Sequence, residues 1–178
     1  PDTDPKKYCH ALAQAYVSGA AEGGHETRLA VVSELDFATI RTASHFSMPA
    51  QDGDIKTAQR DLAWAEHVAV IFPLWLGTMP SLLGAFLEQV TRGGIGASCN
   101  LSGWEPHLRG KSARMIVTRD ALAGFAHRLD FRSRMLASPS FDFVGISPGR
   151  WTVFDRVNTS GRLRQGRRSE KIRRRGRL

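Results

Sequence analysis

Cysteine is scarce in this sequence: among 178 residues only Cys9 and Cys99 carry a thiol. Two thiols cannot build a disulfide framework or a cysteine-based zinc site, so a reducing compartment, the cytoplasm, is expected. The opening PDTDPKKY is polar and has no apolar stretch of the signal-peptide kind. The six histidines show no metal-ligand spacing and no HExxH occurs, which leaves no recognisable metal centre. A G-x-S-x-G elbow is also missing, so a hydrolase has no visible nucleophile. The glycine run from Gly93 to Gly96 lacks the Lys-Ser/Thr that would follow it in a phosphate loop.

Excess charge is missing from most of the chain as well. The net charge is +8, yet Gly161 to Leu178 holds nine basic residues and one acid, while the other 160 residues balance at 16 of each sign. The basicity is therefore a property of the C-terminal end, which reads as a tail over 157–178 behind a domain over 1–156. A basic tail can meet nucleic acid, anionic lipid or an acidic partner. The run RRSEKIRRR has no interleaved aromatics, which weakens the nucleic-acid reading and leaves a solvated end as the simpler one.

The third absence is the most informative. From Val68 to Leu87 the chain runs twenty residues without a charge. That length would suffice for a membrane span. Pro73 and Pro80 interrupt it, each removing a backbone donor and disfavouring helix before it. The stretch parses instead as a buried strand (His67 to Phe72), a tight loop (Pro73 to Met79) and a helix from Pro80 to Val90. An uncharged strand of this kind is what a parallel sheet covered on both faces requires.

The rest of the chain alternates in the same way. Asp4 as N-cap and Pro5 at the first helical position open a helix carrying Tyr8, Leu12, Ala15 and Tyr16 on one face, and Gly23-Gly24 ends it. A strand is expected over Leu29 to Val32, a helix over Asp54 to Trp64, a strand over Ser112 to Thr118, a helix over Ala121 to Leu136 and a last strand over Phe141 to Ile146. The connection between the helix ending at Val90 and Ser112 is glycine-rich and without period. This pattern predicts an α/β fold: a parallel sheet with helices on both faces. The chain opens at a helix cap rather than a strand, so four strands stand where a 2-1-3-4-5 sheet has five, and a missing first strand is expected.

Ligands of such sheets sit beyond the carboxyl ends of the strands. Three loops reach that edge: the opening turn, Pro73 to Met79, and Thr118 to Gly124. Lys6 and Lys7 in a first helical turn oppose the helix dipole unless an anion binds there. In PLWLGTMP, backbone N–H groups lie beside Leu74, Trp75 and Leu76, a combination that suits either a planar ring system or simple core packing.

Here the residues carry a resemblance. DIKTAQRDLAWAEH followed by VAVIFPLWLGTMPSLLGAFLEQV resembles the NAD(P)H:quinone oxidoreductase family of flavodoxin-like flavoproteins, and GKSARMIVT and FVGISPGR resemble its later strands. The likeness spans Asp2 to about Phe154. It implies a flavodoxin-like three-layer sandwich, FMN or FAD as cofactor, NAD(P)H as electron donor and a quinone as acceptor, in a homodimer. It places Pro73, Leu74, Trp75, Leu76 and Gly77 along the flavin ring, Lys7, Tyr8 and Cys9 at its phosphate, and Thr118 at the ring's polar edge. His127 falls where some members place a catalytic tyrosine. Arg119 and Asp120 stand where the family has a glycine-containing turn, and Lys6 and Lys7 replace small polar residues. The missing strand and the Arg119-Asp120 substitution favour an alternative: a flavodoxin-like binding or regulatory module without flavin, as in ancillary subunits of potassium-efflux systems, or a truncated fragment; the intact PLWLG loop favours the enzyme.

Overall fold

The computed structural model describes residues 5–75, 78–119, 141, 144–147, 149–155 and 162–177, with no statement made of the side chains of 5–7 and 162–165. Helix α1 (Pro5–Glu22) starts at the proline, as its fixed φ favours. A loop follows, containing one 3₁₀ turn (Val32–Glu34) and the short helix α2 (Ala43–Ser47). Then come α3 (Gly53–Trp64), β1 (His67–Pro73) and α4 (Ser81–Thr91), whose N-cap is Pro80. An antiparallel hairpin, β2 (Ala97–Asn100) and β3 (Gly103–Pro106), precedes β4 (Ser112–Arg119). Strand β5 (Gly149–Asp155) and helix α5 (Arg162–Gly176) complete the described elements.

The main sheet has the order β1-β4-β5 and is parallel throughout. That order equals the last three positions of a 2-1-3-4-5 sheet. The register sets Phe72 beside Val117 and Val117 beside Val153, so like-facing residues run across all three strands. Because side chains alternate along a strand, successive residues of β4 feed different cores. Ile116 joins Leu12 of α1, Ile172 of α5 and Phe154 of β5. Its neighbours Met115 and Val117 join Phe72 and Leu83 of α4 on the opposite face. Helices thus cover both faces of the sheet, as the apolar strands require.

Two expected strands are corrected. Leu29 to Val32 enters no sheet: 25–31 is irregular and Val32 begins a 3₁₀ turn. Sequence pattern alone does not make a strand, because a strand needs a ladder partner and none among the described residues stands beside it. The expected strand Phe141 to Ile146 is also misplaced. Phe141 and Val144 are helical, Gly145 turns the chain at φ +91°, and the strand is β5, eight residues on. The supposedly unpatterned connection before Ser112 holds the β2–β3 hairpin, and the expected helix Ala121 to Leu136 lies outside the described residues.

At the amino ends of the strands, His67 is clamped by two hydroxyls: Tyr16 lies 3.0 Å from Nε2 and Ser112 lies 2.7 Å from Nδ1. Partial desolvation holds its pKa below the ordinary 6.5 although the residue keeps an exposed edge, and the positive charges of Arg114, Arg150 and His25 act in the same sense. The unfolded chain therefore binds a proton on this residue before the folded protein does. Stability is undiminished above the unfolded value and declines as the pH falls from it toward the folded value. Thermal unfolding midpoints between about pH 7.5 and about pH 5.5 should fall with pH, and His67→Gln should flatten that slope. An unchanged slope in the variant would remove His67 from the explanation.

Candidate functional site

Three segments converge at the carboxyl edge of the sheet. Strand β1 ends in Pro73, paired in register with Thr118 near the end of β4. The Leu74 amide donates to the Thr118 carbonyl at 2.7 Å, carrying the loop across that edge. Trp75 and Thr78 then donate to each other's carbonyls, both at 2.9 Å, bridging the two sides of the loop. The first turns of α1 meet the same edge, with Cys9 Sγ 3.3 Å from Thr118 Oγ1.

The structure thus brings Tyr8, Cys9, Pro73, Leu74, Trp75 and Thr118 to one place. Their side chains do different things. Trp75 is 48% exposed, so its indole is available as a face beside the loop. Leu74 packs toward Phe72, Leu83 and Val117, anchoring the loop to the core. The Thr118 hydroxyl is buried and committed to Cys9. Burial pushes the Cys9 thiol up, only partly offset by that hydrogen bond, so it stays protonated at neutral pH and is no reactive thiolate. Of the other predicted residues, Leu76, Gly77 and His127 lie outside the described residues, as does the side chain of Lys7.

One residue was not anticipated. Arg168 of α5 reaches the same edge, donating from Nη2 to the Asp155 carbonyl at 2.5 Å, with its guanidinium 5.6 Å from the Phe154 ring. Burial raises the Tyr8 phenol above its ordinary value, and the neighbouring Arg168 partly opposes this. The Tyr8 hydroxyl and Arg168 Nη1 are both buried without a hydrogen-bond partner of good geometry among the described residues. Orphaned donors beside the start of a helix fit an anionic group. A signal for Arg168 existed in the sequence: Arg168, Ile172 and Gly176 recur every four residues, and Ile172 is the one apolar side chain in an otherwise polar run.

Arg119 also stands at this edge, ion-paired across the strand ends with Asp155. Among the described residues no group of three or more His, Cys, Asp or Glu is placed to hold a metal.

A family model described as "Flavodoxin-like fold" matches residues 1–175. The chain belongs to that family. Solved structures similar to it include Smu.1420 from Streptococcus mutans UA159, at 19% identity and TM-score 0.74, covering 99% of this chain and 95% of that one. The NAD(P)H:quinone oxidoreductase from Methanothermobacter marburgensis is 17% identical with TM-score 0.74, covering 96% and 90%. An FMN-dependent NADH-azoreductase from Bacillus anthracis, in complex with FMN, is 10% identical with TM-score 0.68, covering 95% and 89%. No curated protein sequence matches. At these identities the likeness establishes the flavodoxin-like fold. The family match runs through α5, so the basic segment belongs to the flavodoxin-like match to within three residues of its end.

Proposed function

We propose that this protein is a flavin-dependent oxidoreductase that passes two electrons from NAD(P)H through FMN to a quinone. The observation that carries the reading is the convergence of the Pro73–Trp75 loop, the start of α1 and the end of β4 at one sheet edge. The FMN of the azoreductase relative makes FMN the first choice over FAD.

A bound flavin would supply the hydride chemistry, and the protein's part is to hold and orient it. Trp75 offers an exposed aromatic face for a ring. The N–H groups of Leu74, Trp75 and Thr78 are already given to carbonyls, so these three do not donate to a ring edge. Tyr8 and Arg168, whose buried donors have no hydrogen-bond partner among the described residues, would hold the phosphate end together with Lys7 and Cys9. Cys9 and Thr118 fasten α1 to β4 and keep the two halves of the site in register. His127 is proposed as the group that assists charge development during hydride transfer.

The test is direct. Protein mixed with FMN and freed of excess should retain the visible flavin absorption, and NADH or NADPH should bleach it. Trp75→Ala should weaken FMN binding about 2- to 12-fold in a fluorescence titration, from about 0.5–1.5 kcal/mol of lost aromatic contact. A folded but colourless protein would sink the enzyme reading. It would favour the second reading, a flavodoxin-like module that acts on a partner, which the Arg119–Asp155 pair at the mouth of the site supports. The exposed hairpin, with Leu101 and Trp104 outward, supports a homodimer with a shared wall, and sedimentation at micromolar concentration would test it. The two free cysteines support a cytoplasmic setting, and no helix among the described residues is long and apolar enough to cross a membrane.

A further inference from the structure

Strand β4 holds one residue that its position does not explain. Ala113 to Thr118 are all buried, and Arg114 among them is only 5% exposed. A guanidinium is always charged, and a buried one ordinarily sits against an anionic partner. Arg114 has none. No ion pair joins it to an acid among the described residues, and its Nε is buried there without a hydrogen-bond partner. A buried charge left uncompensated is among the costliest arrangements a core can hold.

The neighbours deepen the imbalance. Arg150 of β5 is the register partner of Arg114, so the two side chains leave the sheet on one face, about 5 Å apart at their bases. Alternation makes that the face of Ile116, which packs against α1 and α5. Thr152, two residues on from Arg150, shares the face and accepts from Arg175 Nη1 of α5 at 2.8 Å. Arg114, Arg150 and Arg175 line one cavity, together with His67 and Ser112 at the amino ends of their strands. Neither Arg150 nor Arg175 is ion-paired among the described residues. Arg175 lies in the last turn of α5, whose end offers about half an elementary negative charge against three full positive ones. The cluster is independent of the open side of β1: β4 has a strand on either side, and β1 stands between Arg114 and anything beyond it.

We propose that Arg114, Arg150 and Arg175 form a binding site for a phosphoryl group, either free inorganic phosphate or the phosphate end of a small molecule. The chemistry sets the class. A phosphoryl group carries about 1.5–2 negative charges at neutral pH on three acceptor oxygens, which three guanidinium forks match. A carboxylate has one charge and two oxygens and leaves the cluster positive. Burial sets the size, because a phosphodiester inside a polymer, with chain on both sides, cannot reach a side chain that is 5% exposed. The site lies at the amino ends of the strands, opposite the Tyr8 and Arg168 cluster at the carboxyl edge, and does not rest on the flavin reading.

Titration of the full chain with inorganic phosphate tests it, at constant ionic strength in chloride, with and without saturating FMN. Magnetic resonance of the Arg114 Nε–H and the His67 ring protons reports this site rather than the carboxyl edge. Phosphate should shift the Arg114 signal saturably, with a midpoint below about 1 mM. His67 should take up its proton at a higher pH when phosphate is bound, because the added negative charge offsets the arginines. Arg114→Met, an apolar chain in the same space, should weaken phosphate binding roughly tenfold or more while the thermal midpoint holds or rises. Arg150→Gln, at an exposed position, should weaken binding about threefold or more with the midpoint unchanged. Methyl phosphate separates the two sources: binding as tight as that of phosphate marks the end of a larger molecule, and weaker binding marks the free ion. Four results would overturn the proposal: no saturable shift at Arg114, affinity unaltered in both variants, acetate binding as tightly as phosphate, or loss of the phosphate response when FMN is bound. Failure to retain FMN with the phosphate response intact would sink only the enzyme reading.

Discussion

Removing Gly161 to Leu178 should leave a chain that no longer folds, and the single change Ile172→Ala should cost about 2–5 kcal/mol. The segment carries the whole of the net charge, which suggests a dispensable appendage. Its helix nonetheless contributes a fully buried side chain, Ile172, to the cluster with Leu12, Ile116 and Phe154. Glu22 at the end of α1 is gripped by Arg173 and Arg177 together, which holds its carboxyl below the usual range. Those exposed ion pairs add little on their own. The apolar contact decides the effect, because a loss of 2–5 kcal/mol is a large part of the 5–15 kcal/mol that holds a typical domain together. Thermal unfolding of the Ile172→Ala protein and of the truncated chain checks this. A truncated protein with an unshifted midpoint would show that α5 is independent of the fold.

Gly19→Ala is the second large expected effect. Helices α1 and α5 approach so closely that a Cβ on Gly19 would fall on the Arg173 carbonyl, and a Cβ on Gly176 would strike the Tyr16 carbonyl and the Ala20 amide. Backbone atoms cannot swing aside as a flexible side chain can, so the helices must separate and the Ile172 contact opens with them. A loss of about 3 kcal/mol is expected, at the top of the overpacking range, or about 6–12 °C in the midpoint. Gly84→Ala is the control. It lies inside α4 with nothing within 4 Å of a new Cβ, so it should gain about 0.5–1 kcal/mol from helix propensity. If both substitutions moved the midpoint the same way, close helix approach would not be what Gly19 provides.

The sequence was legible where one local signal was enough. The uncharged run with two prolines places β1, its loop and α4 to within a residue at each boundary, because proline geometry acts locally. The same holds for α3 and β4. It was illegible where the outcome turned on a distant partner. Leu29 to Val32 has strand composition, but pairing depends on a neighbour that composition does not report. Phe141 to Ile146 has the composition of a strand, yet the strand paired with β4 is Gly149 to Asp155, because pairing depends on a register that composition does not report. In the site, the Pro73–Trp75 loop was visible through its motif, whereas Arg168 was hidden in a run that reads as solvated charge. Helical spacing distinguishes Ile172 from its charged neighbours, yet only the packing against α1 gives it meaning.

The closeness of α1 and α5 also sets a clock on biosynthesis. About 140 residues separate the end of one helix from the start of the other. At roughly 5–20 residues per second, the apolar face of α1 waits on the order of 7–30 s on the ribosome before its partner is made. Helices themselves form in about a microsecond, so α1 spends that interval as an amphipathic helix or coil with its seam open. The apolar face of α1 is therefore exposed during synthesis for far longer than helix formation needs, until α5 arrives to cover it.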